Sequence, residues 1–135
     1  MNGKYFLAAL AAAVVVFAGG WIIYGMILMD YMAAHSFMKT TPAMWGIVVG
    51  NLFSGLLYAC ICQISNTKSF SKGLTLGLVI GLLMGLSSNF IMLGGGMFDS
   101  AGPMLADTAG IAILAGLGCG TAGWVMGRGA DKAAA

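Results

Sequence analysis

Apolar residues run in four long stretches, at positions 5–29, 43–64, 71–93 and 104–126, broken by short segments in which polar residues, glycine and proline gather. Each stretch has about the 20 residues that carry a helix across a hydrocarbon layer of about 30 Å. None alternates with period two, as barrel strands do. Backbone amides in lipid must find partners within their own segment, so each stretch is predicted to be a helix. The pattern predicts one all-α domain over residues 1–135, an integral membrane four-helix transmembrane bundle.

The breaks carry their own signals. Thr41-Pro42 and Gly102-Pro103 have the residue order that opens a helix, and Ser69 suits the cap of the third span. Only residues 65–69 separate the second and third spans, which predicts an antiparallel hairpin. Residues 30–41 form a longer connection with Tyr31, Ala34, His35 and Met38 at helical spacing, so it either extends the first helix or lies along the bilayer surface. Lys4 and Ala18-Gly19-Gly20 give the first stretch some look of a secretory signal, but it is longer than a signal core and reads as a retained span.

Composition agrees with lipid as the main solvent. Charged residues make up 7% of the 135 positions, against about 25% in soluble domains. Lys4, Lys68, Lys72, Arg128 and Lys132 fall on one side of the expected topology and Lys39 alone on the other. That bias places both termini in the cytoplasm and the chain in the inner, cytoplasmic membrane of the cell as a multi-pass protein. Asp30, His35, Asp99 and Asp107 then lie toward the outer side. Trp45, Tyr24 and Phe98 fit an outer aromatic belt, and Tyr5, Phe70 and Trp124 an inner one. Orientation and anionic lipid account for a net charge of +2, so nucleic acid is not an expected partner.

Glycine is abundant, at 22 residues, and it concentrates inside the apolar stretches. Gly73, Gly77, Gly81 and Gly85 form a row at four-residue spacing that Asn89 continues. Gly46 with Gly50, Gly116 with Gly120, and Gly123 with Gly127 repeat the spacing on the second and fourth spans. Such rows let helix backbones approach closely, which is how helices associate once both are in lipid. These faces exceed what one internal helix pair needs: either all are used within the bundle, or at least one docks a second copy or another membrane subunit, the expected partners beyond the bilayer.

Candidate chemistry is sparse. Asp107 is the one acidic residue within a span, near a helix N-terminus that would favour its charge. It either satisfies the opening turns of the last helix or joins Asn51, Asn89, Ser87, Ser88 and Thr108 in a polar, outward-facing cavity. Met26, Met29, Met32 and His35 recur every three residues and offer soft donors of the kind that hold copper(I). At that spacing the side chains drift around a helix, and gap filling is the commoner role of methionine. Cys60, Cys62 and Cys119 match neither a paired redox motif nor a zinc constellation. No phosphate-cradling loop, zinc-protease helix or nucleophile elbow occurs, so no catalytic residue and no cofactor is expected. Small multidrug exporters of similar length depend on a buried glutamate, and this chain has none.

The end of the first span reads Phe17-Ala18-Gly19-Gly20-Trp21-Ile22-Ile23-Tyr24-Gly25. It resembles the aromatic-glycine signature of a bacterial family of small four-helix membrane proteins, the domain of unknown function seventeen-sixty-one. The family has tryptophan beside the tyrosine, where this chain has Ile23. The resemblance implies the four-span topology and supplies no activity or site residues. The expected function is therefore that of a non-enzymatic membrane protein, a structural or accessory subunit of a larger complex. The alternative is a small oligomeric transporter or channel with a polar path along Asn51, Asn89 and Asp107.

Overall fold

The computed structural model describes residues 2–36 and 43–128, and these are all helix and short connections apart from one isolated bridge between Ser36 and Phe98. The expected opening at Thr41-Pro42, together with Met38, Lys39 and Lys132, lies outside the described residues. The first span is α1 (Gly3–Ile22) continued by a π-helical segment (Ile23–Ile27), and a short α2 (Met29–His35) follows. The remaining spans are α3 (Met44–Ile64), α4 (Phe70–Gly94) and α5 (Ala101–Gly127). Four helical stretches, from Gly3–Ile27 to Ala101–Gly127, are long and apolar enough to cross a membrane.

The connection after the first span resolves into a change of helix type. The Leu28 amide donates to the Ile23 carbonyl at 2.8 Å, one residue further back than an α-helix allows, and Leu28 leaves regular helical geometry before α2 begins. The end of α2 then meets the α4–α5 connection, where Ser36 bridges Phe98 and the Asp99 amide reaches the His35 carbonyl.

α5 is the hub. In its most apolar stretch 56% of residues are buried, against 28%, 17% and 22% in the first span, α3 and α4. One side of α5 receives α4, and the other receives α1 and α3, which also pack on each other. Glycine and alanine make both contacts possible. Gly73, Gly77, Gly81 and Gly85 are buried against α5 in antiparallel register. Methyl groups at Gly73 and Gly77 would collide with the carbonyl oxygens of Cys119 and Ala115, and one at Gly81 would lie 2.6 Å from Ala115 Cβ and 2.9 Å from Ala112 Cα. The two backbones therefore touch. In return, Leu74 and Leu78 cover Gly116, and Phe70 covers Gly120. On the opposite side of α5, Tyr58 and Val16 meet Gly118, and Leu114 meets Gly19 of α1.

The expected α3–α4 hairpin differs in an instructive way. The connection is short, yet α3 and α4 make little contact with each other, because the loop steps across the end of α5 and delivers the two helices to opposite sides of it. Gly123 and Gly127 serve this crossing: side chains there would meet the carbonyls of Ser69 and Lys68. They are a seat for a loop, although their spacing looks like a helix-packing row. α3 and α4 end alike. Thr67 and Met97 amides reach back to the carbonyls of Cys62 and Met92 at 2.8 and 3.0 Å, around left-handed residues Asn66 and Gly96. Asparagine and glycine are the residues that tolerate that conformation.

Gly46 and Gly50 stand apart. Among the described residues nothing lies within 4 Å of the position a methyl would take at either, and the chain from Ala43 to Phe53 is largely exposed. The contact that docks α3 on α1 is made lower down, at Gly55, whose missing side chain admits the Ala9 carbonyl and Ala13. Tyr5 adds a hydrogen bond from its hydroxyl to the Leu56 carbonyl at 3.1 Å.

The contrast yields a stability prediction. Gly81→Leu forces a branched side chain into a backbone contact and is expected to destabilise the chain by about 3 kcal/mol or more, whereas Gly50→Leu should leave the unfolding midpoint unchanged. Unfolding of the detergent-solubilised protein with a denaturing detergent, followed by circular dichroism, checks both.

Candidate functional site

Among the described residues charge sorts to the two ends of the bundle. At one end the Lys4 ammonium donates to the Arg128 carbonyl at 3.0 Å, beside Lys68 in the loop and Lys72 in the first turn of α4. The Arg128 guanidinium lies 3.7 Å above the Trp124 ring centre. The acidic residues Asp30, Asp99 and Asp107 occupy the other end, and the candidate site is built there.

Its centre is Asp107, two turns into α5. Tyr24 donates its hydroxyl to Asp107 Oδ1 at 2.8 Å, and Asn89 donates Nδ2 to Asp107 Oδ2 at 2.7 Å. Each carboxylate oxygen is thus held by a different helix: Tyr24 belongs to the π-helical segment and Asn89 to α4. Asn89 also donates to Thr108 Oγ1 at 3.0 Å, and Thr108 donates to the Met104 carbonyl at 2.9 Å. Asn89 and Thr108 are 1% and 2% exposed, and Asp107 is half-buried. Buried amides and carboxylates are costly without such partners.

Glycine shapes this site too. Gly110 sits one turn beyond Asp107, and a methyl there would lie 2.9 Å from Tyr24 Cζ, so the bare backbone is the notch that receives the phenol. The π-helical turn changes the phase of the chain at Tyr24, and such turns gather at functional positions. On α4, Gly85 lets Thr108 approach one turn before Asn89.

A second polar contact closes over the first. His35 and Asp99 pair through Nδ1 and Oδ2 at 2.6 Å, and the Asp99 amide donates to the His35 carbonyl at 3.2 Å. The histidine hydrogen bond, helped by one from Ser100 at 2.8 Å, holds the exposed Asp99 carboxyl below the usual carboxylate range. Beneath this pair Met32, Phe98 and Met104 are buried together, flanked by Leu28, Met92 and Leu93.

The sequence candidates separate accordingly. Asn89 and Asp107 come together, joined by Thr108. Asn51 does not join them: it donates to the Ile47 carbonyl of its own helix at 2.7 Å, on the open part of α3. Ser88 likewise bonds its own helix, at the Met84 carbonyl, and Ser87 is exposed. Met26, Met29, Met32 and His35 do not share surroundings, since Met26 is 70% exposed, Met32 is 3% exposed in the methionine cluster, and His35 faces Asp99. The π-helical turn and the break at Leu28 disperse what the three-residue spacing suggested. Among the described residues no group of three or more histidine, cysteine or acidic side chains is placed to hold a metal ion. Cys62 and Cys119 are buried, with Cys62 Sγ 3.3 Å from the Cys119 carbonyl, and Cys60 is exposed. Tyr24 is the site residue that sequence reasoning assigned only to an aromatic belt; the glycine three residues after Asp107 is the signal that marks its seat.

Comparison with protein-family models, with curated proteins and with solved structures gave no match.

Two measurements follow. Tyr24→Phe leaves Asp107 Oδ1 without that donor, and a double-mutant cycle with Asp107→Ala is expected to return a coupling of about 0.6 kcal/mol in unfolding free energy, the average found for membrane hydrogen bonds, and at most about 1.7 kcal/mol. Simple additivity would mean that the bond is not formed. Because Asp99 titrates lower in the folded chain, its contribution is complete above the ordinary carboxylate range and fades as pH falls through the depressed folded value. Hydrogen-exchange protection at Asp99 and Ser100, taken relative to the intrinsic rate at each pH, should therefore fall on acidification, and Asp99→Asn should flatten that response.

Proposed function

We propose that this chain is a non-enzymatic, multi-pass membrane protein that acts through assembly, as a structural or accessory subunit. Its basic end faces the cytoplasm, across the inner membrane of the cell. The observation that carries this reading is the open small-residue face at Gly46 and Gly50. The rows on α4 and α5 are filled within the chain, so they account for its folding. The face on α3 serves no contact among the described residues, and in lipid such a face gains its packing from another helix. The resemblance noted at the end of the first span is consistent with this membrane topology and adds no activity.

A second reading is favoured by Asp107, because a carboxylate inside a span is a functional candidate in its own right. A small transporter or channel would use it with Asn89. The commitment of both carboxylate oxygens to Tyr24 and Asn89 supports the structural role instead, and the separate position of Asn51 shortens the proposed polar path.

Gentle extraction followed by native mass spectrometry is expected to find the wild-type chain with a second subunit or a second copy, and Gly50→Leu is expected to release it as a folded monomer. A wild-type chain that is always alone, and that moves ions or solutes into liposomes in a manner abolished by Asp107→Asn, would favour the transport reading.

A further inference from the structure

We infer that the opening turns of α4 form a binding site for one phospholipid with a net-negative headgroup. A shallow groove of about 450 Å³ runs along this part of the helix, lined by Ser71, Lys72, Thr75, Leu76 and Val79. Its polarity changes in one direction. Ser71 and Lys72 stand at the basic end, whereas Leu76 and Val79 lie deeper, with Val79 53% exposed to whatever fills the groove. Seven residues separate Lys72 from Val79, a rise of about 10 Å, which matches a headgroup above the first segment of an acyl chain.

Charge selects the headgroup. Lys68 and Lys72 are exposed at an end that also carries Lys4 and Arg128. Among the described residues the ion pair is His35 with Asp99, and Asp30, Asp99 and Asp107 all lie toward the opposite end of the bundle, so no described carboxylate pairs with the lysines beside the groove. The Lys72 ammonium and Ser71 hydroxyl meet the phosphate, and Lys68 and the helix N-terminus add to the attraction. Thr75 is not a headgroup donor, because its hydroxyl is given to the Ser71 carbonyl at 3.1 Å. A zwitterionic headgroup would leave this excess positive charge unmet.

The inference rests on the membrane-spanning reading. The purified chain, exchanged into equimolar phosphatidylglycerol and phosphatidylcholine of identical acyl chains, is expected to retain the anionic lipid preferentially in native mass spectra. Lys72→Gln should cut that preference about fivefold, Lys72→Arg should keep it, and Val79→Trp should lower retention by filling the tail groove. Glycerol phosphate, which has no tail, should not displace the lipid. Equal retention of the two lipids by the wild type, an unchanged preference in Lys72→Gln, or displacement by glycerol phosphate would overturn the site. Failure of the underlying reading would look different, as a chain that stays in solution without detergent.

Discussion

Direct backbone contact between α4 and α5 is the constraint on which the architecture depends. Gly73, Gly77 and Gly81 bring α4 against the carbonyls and Cα atoms of Cys119, Ala115 and Ala112, close enough for dispersion and weak Cα–H···O contacts along several turns. In lipid the hydrophobic effect does not distinguish packed from separated helices, so this proximity has to hold the pair. It also sets the route of the chain. With one side of α5 given to α4, α1 and α3 take the other, and the short α3–α4 loop must cross the end of α5 over Gly123 and Gly127.

The same principle places the polar site. A carboxylate two turns inside a span needs partners, and the closely packed helices deliver one to each oxygen: Tyr24 into the notch at Gly110, and Asn89 one turn beyond Gly85. The glycine row and the Asp107 cluster are thus one continuous interface, apolar and intimate in its middle and hydrogen-bonded at one end. The methionine cluster and the His35–Asp99 pair cap that end, and the described lysines and arginine, Lys4, Lys68, Lys72 and Arg128, gather at the other.

The spans, their helical nature and the contact role of the α4 row were legible in the sequence, because run length and four-residue spacing are local properties. Asn89 was legible as the next member of that row. Tyr24 was not, since its place depends on a π-helical turn and on a glycine more than eighty residues away. The neighbours of α3 and α4 were not legible either: a short loop states that two helices are joined, and only the packing of α5 decides whether they touch. Gly46 and Gly50 carry the same spacing as the filled rows, so spacing alone cannot tell an internal face from an open one. Gly55, which has no glycine four residues away, is the position that α3 uses.

Disulfide trapping in membranes tests the central contact most directly. With the native cysteines replaced by serine, Leu78→Cys and Gly116→Cys place thiols where a leucine side chain now rests on bare backbone. Mild oxidation should link them within one chain, while a pair on α3 and α4, Gly50→Cys with Leu82→Cys, should remain unlinked. A Leu78–Gly116 pair that fails to link, or that links only between chains, would contradict the account.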